Sequence, residues 1–306
     1  MIEHRTAKPF LKWAGGKSQL ISAIEKVLPA NIKQEGFTYI EPFVGSGAVL
    51  FWVLNNFPNV KRAVINDINE DLITTYRVIA LRPKDLIFAL QTLQNEFHAL
   101  EADEKKAYFY QKRALYNLRG ADQIMQAALF IFLNRTCFNG LYRVNRKNEF
   151  NVPIGSYKRP TICDAENILA VSKALQKVEI LCGDFEQTLK FADDNLLFYF
   201  DPPYKPLSQT SSFNSYAKDD FGDSEQIRLR DFCISLDKLG HAWILSNSDV
   251  KGANDSFFHD LYREFHIQRV EARRSINSRP DKRGKLTELL ITNQAPMPEG
   301  TVYVVD

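Results

Sequence analysis

The run Asp201-Pro202-Pro203-Tyr204 combines residue types suited to holding an amino group. It follows Leu196–Phe200, an apolar run typical of a buried strand, and active sites of open α/β sheets lie at the carboxyl ends of strands. Two successive prolines remove two backbone donors and fix the chain, so the segment presents acceptors: the Asp201 carboxylate and the Pro202 carbonyl. An aromatic amine could donate to both while its ring stacks on Tyr204. The alternative is a strand that ends in a Pro-Pro turn beside a surface tyrosine.

A second motif, Glu41-Pro42-Phe43-Val44-Gly45-Ser46-Gly47, lies between a predicted strand and a predicted helix. Its two glycines allow a tight turn in which the backbone approaches a ligand closely. Leu50 stands where the dinucleotide fingerprint needs a third glycine, which excludes that fingerprint. Asp67 ends the next predicted strand, about 20 residues past the glycines, where a carboxylate can bind ribose hydroxyls. The pair indicates a nucleoside site, with a purely structural turn as the alternative.

A third motif, Lys12-Trp13-Ala14-Gly15-Gly16-Lys17-Ser18, ends like a phosphate-binding loop. Leu11 occupies the position of the first glycine of such a loop, and no strand precedes it, so we reject that interpretation. What remains is a flexible turn in which Trp13 could cover a ligand and the lysines could contact a carboxylate or a phosphate.

Alternating strands and helices would place these motifs side by side. Short β-rich runs recur at Phe37–Glu41, Ala63–Asn66, Glu179–Cys182, Leu196–Phe200, Ala242–Ser246 and Leu286–Thr292. Helical patterns occur between several of them, at Ser46–Asn55, Glu70–Ala80 and Ser224–Leu239. This order predicts an α/β fold with a mostly parallel sheet.

The alternation stops between about residues 81 and 160. Three helical patterns, Asp85–Leu100, Glu104–Leu118 and Asp122–Arg135, precede a basic, turn-rich stretch, Asn139–Pro160. We therefore predict an inserted domain over residues 81–160, and one discontinuous domain made of residues 1–80 and 161–306.

Positive charge is concentrated in two stretches of a chain whose formal net charge is only +2. Residues 135–159 and 273–285 each contain six Lys or Arg and one acid, so the rest of the chain is net acidic. Such clusters are typical of a surface that contacts phosphates. Solvated loops are the alternative, since a charged stretch by itself is weakly specific.

The composition, 45% hydrophobic and 25% charged, is that of a globular protein. No apolar run approaches the roughly 18 residues that suggest a membrane span, and the first ten residues lack an apolar signal region. The four cysteines and five histidines follow no metal-binding spacing. We therefore expect no metal, no membrane contact and reduced thiols, as in a cytoplasmic protein.

Eight short motifs, in this order, resemble the Dam-type DNA adenine-N6 methyltransferases, in which the cofactor region precedes target recognition and the catalytic motif comes last. They are KWAGGK (12–17), EPFVGSG (41–47), NDIN (66–69), NRTCFNGLYRVN (134–145), EFNVPIGSY (149–157), GDF (183–185), FDPPY (200–204) and RRSI (273–276). The likeness extends over essentially the whole chain. It implies a Rossmann-like methyltransferase fold with a mostly parallel seven-stranded sheet and an inserted helical target-recognition domain.

The resemblance also implies roles for the matching residues. Asp201, Pro202 and Tyr204 would form the catalytic platform. S-adenosylmethionine would be held by Trp13, Lys17, Phe43, Gly45, Gly47, Asp67, Asp184, Phe185 and Asp201. Double-stranded DNA would be contacted by Lys12, Arg135, Phe138, Asn139, Leu141, Arg143 and Pro153. Phe138 stands where a tyrosine is familiar in the family, so stacking is kept while the hydroxyl group is absent.

These roles imply an enzyme that transfers a methyl group to N6 of adenine in duplex DNA, after flipping the base, by direct attack. The target implied by Lys12, Leu141, Arg143 and Pro153 is GATC. A cognate restriction endonuclease could be a functional partner, or the enzyme could act alone. Two other functions share some of these features: methylation of RNA adenine or protein glutamine, and non-enzymatic DNA binding on a decayed scaffold. The basic insert argues against the first, and the intact motifs argue against the second.

Overall fold

The computed structural model describes residues 5–13, 17–204, 221–249, 256–273 and 285–294. Its strands are β1 (Phe37–Glu41), β2 (Val60–Ile65), β3 (Val178–Ile180), β4 (Leu196–Phe200), β5 (Ala242–Ser248), β6 (His266–Arg273) and β7 (Lys285–Thr292). They form one sheet in the order β3-β2-β1-β4-β5-β7-β6. The first five strands are parallel, and β7 runs antiparallel to both of its neighbours. This confirms the predicted mostly parallel α/β fold.

Helices flank the sheet. They are α1 (Ile21–Lys26), α2 (Ala30–Gln34), α3 (Ala48–Asn56), α4 (Glu70–Leu81), α5 (Pro83–Ala99), α6 (Ala102–Asn117), α7 (Gln123–Thr136), α8 (Ala165–Leu175), α9 (Asp223–Lys238) and α10 (Phe257–Leu261). Local sequence explains several starts. Asn69 and Asp122 accept hydrogen bonds from the first turns of α4 and α7, and Glu101 with Glu104 forms a capping box at α6.

The central strands are buried on both faces. All five residues of β1 and all five of β4 are buried, as expected when helices cover both faces of a parallel sheet. Side chains alternate between the two faces. Thus Tyr199 packs into the apolar cluster on one side, whereas Phe198 and Phe200 pack into the cluster on the other.

The helices of the predicted insert share a core with the sheet. One apolar cluster contains Tyr39 of β1, Ile79 of α4, Phe97 of α5 and Phe132 of α7. The proposed division at residues 81 and 160 therefore stays a prediction, since packing is continuous on this side of the sheet.

Residues 137–160 form an irregular hairpin after α7. Two isolated antiparallel bridges, Cys137 with Ile154 and Val144 with Phe150, join its arms. Helix α6 fixes it from one side: the side-chain amide of Asn117 accepts from the Phe150 N–H at 2.8 Å and donates to the Phe150 carbonyl at 3.1 Å. The hairpin is therefore anchored at defined points, although the only helical element in this described stretch is a short 3-10 turn at Phe138–Gly140.

Strand β6 has no counterpart among the predicted strands. It is an edge strand, since among the described strands it pairs only with β7. Polar side chains are stable at such an edge, and β6 is polar along much of its length. Residues 274–284, the centre of the second basic stretch, lie outside the described residues. No described helix is long and apolar enough to cross a membrane.

Candidate active site at the carboxyl edge of the sheet

A cavity of about 910 Å³ opens at the carboxyl ends of β1, β2 and β4. Its wall contains residues from five of the sequence motifs: Trp13 and Lys17, Glu41 to Ser46, Asn66 to Ile68, Gly183 to Phe185, and Asp201 to Tyr204. These segments are far apart in the chain. Parallel pairing of β1 with β2 and with β4 brings them to one edge, where ligands of open α/β sheets bind.

The turn after β1 has the geometry that its glycines allow. Gly45 and Gly47 have φ of +48° and +74°. A Cβ on Gly47 would lie 2.6 Å from the Tyr76 hydroxyl oxygen, so a larger residue is excluded by both conformation and space. The Asp67 carboxylate accepts the Gly45 N–H at 3.1 Å and the Asn69 N–H at 2.9 Å. It therefore fixes the turn to the end of β2.

The floor of the cavity is acidic. Glu41 is buried and accepts a hydrogen bond of 2.8 Å from the Tyr39 hydroxyl. Burial raises the pKa of Glu41 well above its usual value, and nearby Asp201 acts in the same direction. Burial also raises the pKa of Asp67, against the effect of the backbone N–H groups that donate to it. A ligand that carries positive charge would favour the ionised forms of these carboxyl groups.

Aromatic rings line another part of the cavity. Phe43 packs on Phe185 and Phe221, with centroids 5.4 and 5.5 Å apart. Beside them, Asp184 accepts the Glu186 N–H at 2.9 Å and a hydrogen bond from Arg228. The Arg228 guanidinium also lies 4.5 Å from the centroid of Phe185. Apolar faces next to a carboxylate are suited to a planar base that bears an amino group.

The Asp201 carboxylate is the centre of a charged cluster. Lys17 Nζ lies 3.2 Å from Asp201 and 2.9 Å from Glu288, and it also donates to the Tyr204 hydroxyl. Ser246 Oγ donates to Asp201 at 3.3 Å. Burial raises the pKa of Asp201 to about 6, while Lys17 opposes that shift and Glu288 adds to it. Burial opposes the charged form of Lys17, but Asp201, the Tyr204 hydroxyl and Glu288 outweigh that effect, so the Lys17 pKa is raised.

The residues predicted to contact DNA fall into two groups. Phe138, Arg143 and Pro153 are exposed, with 42% of Phe138 accessible, and Lys12, Asn139 and Leu141 are half-buried. The hairpin brings them together: the Phe138 N–H donates to the Pro153 carbonyl at 2.9 Å. Asn134 joins Lys12 to the same hairpin, because its amide bonds both backbone groups of Lys12 and the Gly140 carbonyl.

Arg135 differs from this group. It is half-buried, its guanidinium donates to the Phe10 carbonyl at 2.8 Å, and its Nε is buried without a partner in the described part of the chain. Burial lowers the Arg135 pKa. Its contact in the structure is with the protein backbone, and a DNA contact stays a prediction. Cys137 is buried with its pKa raised to about 12 by burial, which agrees with a structural thiol.

Several residues at the site were missed by sequence reasoning. Glu288 of β7 belongs to the charged cluster around Lys17. The cavity wall also contains Arg228 of α9, Phe221 just before α9 and Ile68 just after Asp67. Tyr142 stacks on Trp13, with centroids 5.6 Å apart, and connects the hairpin to the cavity wall. Ile68 had a signal, since it lies within the NDIN motif directly after the strand-end acid Asp67; in the structure its side chain is 65% exposed. Glu288 and Arg228 have none, because they lie in ordinary strand and helix patterns.

Comparisons with known proteins agree with this geometry. The family model of D12 class N6 adenine-specific DNA methyltransferases matches residues 13–276. The Type II methyltransferase M.MjaIII of Methanocaldococcus jannaschii is 50% identical, over 94% of this chain and 99% of its own. The DNA adenine methylases of Haemophilus influenzae and Escherichia coli are 39% and 35% identical, over 94% and 92% of this chain and 93% and 94% of their own.

The fold and the family match are those of a methyltransferase that uses S-adenosylmethionine as methyl donor. More specifically, the chain belongs to the D12 class N6 adenine-specific DNA methyltransferases, and it is an enzyme that acts on DNA. This assignment sets aside the two alternatives, an RNA or protein methyltransferase and a non-enzymatic DNA-binding protein.

Proposed function

We propose that this enzyme methylates the adenine of GATC in duplex DNA, after flipping the base out of the helix. The observation that carries the proposal is the position of Asp201, Pro202 and Tyr204 on the wall of the cavity, within one charged cluster. Exposed Phe138, Arg143 and Pro153 on the hairpin supply a separate surface for DNA.

The cavity fits S-adenosylmethionine by volume and by chemistry. A volume of about 910 Å³ is within the range of small-molecule sites, and acidic groups, aromatic faces and a glycine turn line it. Asp67 would accept ribose hydroxyls, Asp184 the adenine amino group, and the Phe43–Gly47 turn would hold the methionine portion. Trp13 lies over the turn, since a Cβ on Gly45 would be 3.1 Å from its indole nitrogen. When bound, the cofactor supplies an electrophilic methyl group that adenine N6 can attack directly.

The chain's own groups would prepare that nitrogen. An ionised Asp201 and the Pro202 carbonyl accept the two N6 hydrogens, which directs the lone pair away from the ring. The Tyr204 ring, 38% exposed, stacks on the base, and Lys17 holds the Asp201 carboxylate in place. Alignment of this kind can lower the activation barrier by about 7–11 kcal/mol. No covalent nucleophile is needed.

Access to N6 requires the adenine to leave the duplex stack. Phe138 is the exposed aromatic ring on the hairpin, next to basic residues, and we infer that it stacks on or wedges into the duplex beside the flipped base. Base–aromatic contacts are worth about 1–3 kcal/mol, enough to offset part of the cost of unstacking.

The same hairpin would read the sequence. Arg143 is exposed and suited to bidentate contact with guanine O6 and N7, while Leu141 and Pro153 offer apolar surface to a thymine methyl group. Lys12, whose Nζ lies 4.1 Å from the Tyr157 ring centroid, would take a second guanine. This pairing with Tyr157 limits the directions that the flexible lysine can adopt.

Long-read sequencing of DNA from a methylation-free host that expresses the enzyme tests the proposal. We expect N6-methyladenine at GATC in cells with the wild type and none with Asp201→Ala. Asp193→Ala is the matched control. Asp193 lies in the loop before β4, whereas Asp201 follows the other end of that strand, and the Asp193 carboxylate accepts a hydrogen bond from Thr38. Methylation at another motif would refute GATC and leave the chemistry intact. Methylation by Asp201→Ala would contradict the catalytic role.

Three further proposals concern the partner, the location and the domains of this chain. The name of M.MjaIII describes a Type II methyltransferase, which supports a cognate restriction endonuclease as a functional partner of this chain. Deleting the gene in its native host while leaving neighbouring genes intact should then be lethal or lead to cleaved DNA. A cytoplasmic location and the domain boundaries at residues 81 and 160 also stay proposals.

A further inference from the structure

The Asp201–Tyr204 turn cannot hold itself in place through its own backbone. Pro202 and Pro203 lack N–H groups, so two consecutive donors that normally stabilise a turn are absent. Its acceptors have to be held from outside if they are to meet an amino group at hydrogen-bonding distance. Strand β5 and helix α9 supply such contacts.

Two neighbouring residues of β5 stabilise opposite ends of the turn, Ser246 directly and Asn247 through Gln226. Ser246 Oγ donates to Asp201, before the prolines, at 3.3 Å, and it bonds the Tyr199 hydroxyl at 2.9 Å. Asn247, on the other face of the strand, donates to Gln226 Oε1 at 3.3 Å. Gln226 Nε2 in turn donates to the Pro203 carbonyl at 3.2 Å. The turn is thus held from both faces of the sheet.

Gln226 and Asn247 are fully buried, and neither lines the cavity. Burying two side-chain amides is unfavourable unless their polar atoms find partners. Here the Gln226 amide is used on both sides: its oxygen accepts from Asn247, and its nitrogen donates to the turn. The Asn247 oxygen also accepts the Ser248 N–H at 2.8 Å, which fixes the direction of its own amide. Each amide therefore has a defined orientation.

We propose that Gln226 is a positioning residue of the catalytic turn, and that Asn247 acts through it. Holding the Pro203 carbonyl fixes the peptide plane between Pro203 and Tyr204. The proline rings restrict the preceding backbone, so the Pro202 carbonyl and the Tyr204 ring are positioned with it. The proposal rests on the role of this turn in methyl transfer. It predicts that removal of the Gln226 donor slows chemistry and leaves binding of both substrates intact.

The test measures single-turnover methylation of a GATC duplex at saturating S-adenosylmethionine. Gln226→Met keeps the length of the side chain and removes the donor. We expect its rate constant to fall about 10- to 100-fold, the scale of a misplacement near 1 Å. Dissociation constants for cofactor and duplex should stay within about twofold. The binding measurement also detects a moved helix, because Arg228, two residues further along α9, contacts Asp184 in the cavity wall.

Gln126→Met is the matched control. Gln126 is also helical, and its Nε2 also donates to a backbone carbonyl, that of Tyr116, at 3.1 Å, away from the cavity. Its single-turnover rate should stay at the wild-type value, and its thermal stability gives the reference against which that of Gln226→Met is compared. An equal decrease of rate in both variants would show a general packing effect and overturn the proposal.

Asn247→Ser provides an independent arm if Gln226→Met does not fold. It removes the donor to Gln226 without touching Gln226 or the turn, and we expect a fall of about 3- to 10-fold. The double variant should be no slower than Gln226→Met, because Asn247 acts only through Gln226. Additive decreases, or wild-type rates in both single variants, would overturn the proposal. Failure of the wild type to methylate the duplex would instead refute the proposed function.

Discussion

At the residue scale, Asp201 lies between neighbours of opposite charge. Lys17 Nζ is 3.2 Å from it, and Glu288 reaches the same lysine at 2.9 Å. Burial raises the Asp201 pKa to about 6, so the carboxylate that we propose accepts the amino hydrogens becomes protonated as the pH falls through that value. We therefore expect kcat/KM to decline on the acid side with an apparent pKa of about 6, because this parameter follows groups of the free enzyme.

Substituting Lys17 or Glu288 should move this apparent pKa in opposite directions. Lys17→Met removes the cation that lowers the Asp201 pKa, so the acid limb should move to higher pH. Glu288→Gln removes an acidic group that raises it, so the limb should move to lower pH. Profiles of kcat/KM for the wild type and both variants would check this. An acid limb at the same pH in all three would show that another group titrates.

Phe138 is predicted to act on the duplex. Phe138→Ala removes the exposed ring, and we expect flipping to weaken by about 1–3 kcal/mol. The increase in 2-aminopurine fluorescence at the target position on binding would be smaller than with the wild type. Phe88→Ala is the control, since Phe88 is an aromatic residue 74% exposed on α5, outside the hairpin. An unchanged signal in Phe138→Ala would favour a role in packing.

Residues of the site differed in how visible they were from sequence. The position of Asp201 on the cavity wall could be predicted because prolines and a tyrosine follow it directly at the end of an apolar strand. Glu288 and Gln226 could not, because each lies within an ordinary strand or helix pattern, about 87 and 25 residues further along the chain. Their contacts with Lys17 and Pro203 depend on which strands are neighbours in the sheet, and short-range patterns do not contain that information.

At the element scale, the hairpin of residues 137–160 holds Arg143 in a defined direction. Arg143 Nε donates to Asn151 across the hairpin at 2.7 Å, and the Asn151 N–H donates back to the Arg143 carbonyl at 3.1 Å. With Nε engaged, the terminal guanidinium nitrogens remain for a base edge. A fixed direction favours reading one base over general phosphate contact.

Arg143→Ala should therefore cost about 1–3 kcal/mol on the correct site and relax discrimination at one base pair. Binding measured on duplexes with single substitutions in GATC checks this. Arg146→Ala is the comparison, because Arg146 lies in the same hairpin and is expected to contact phosphate only. If Arg143→Ala weakened binding to every duplex alike, it would be a phosphate contact too.

Element boundaries could be predicted well where pattern and packing agree. The bounds of β4 match the predicted run residue for residue, since every position in it is apolar and buried. β6 was not predicted, because its pairing with β7 alone leaves it at an edge where polar side chains are stable. The hairpin could be predicted only as turn-rich, since its shape depends on contacts with α6.

At the scale of the whole molecule, the distribution of charge should govern affinity for DNA. Residues 273–285 carry six basic side chains, and their central part lies outside the described residues. Neutralising Arg279, Lys282 and Arg283 should weaken binding similarly on all sequences. It should also reduce the slope of log K against log salt by about 2–3, because each phosphate that is no longer neutralised accounts for about 0.9 of that slope.

A matched triple variant distinguishes the effect of losing these three basic residues from the effect of a lower net charge. Lys26, Lys33 and Lys84 are exposed on α1, α2 and α5, and neutralising them removes the same charge. We expect its salt slope to stay close to the wild-type slope. A decrease of affinity confined to GATC in the first variant would mean that this stretch reads bases.

The order of strands in the sheet has a consequence during synthesis. β1 pairs with β2 on one side soon after it is made, but its other side waits for β4, with Leu196 opposite Thr38 and about 160 residues later. At about 5–20 residues per second, the ribosome leaves that side of β1 unpaired for roughly 8–30 seconds. The five-residue strand that precedes the glycine turn is thus an unpaired edge on the nascent chain. We expect a chaperone, or early packing of α4 to α7, to prevent it from pairing with other nascent chains.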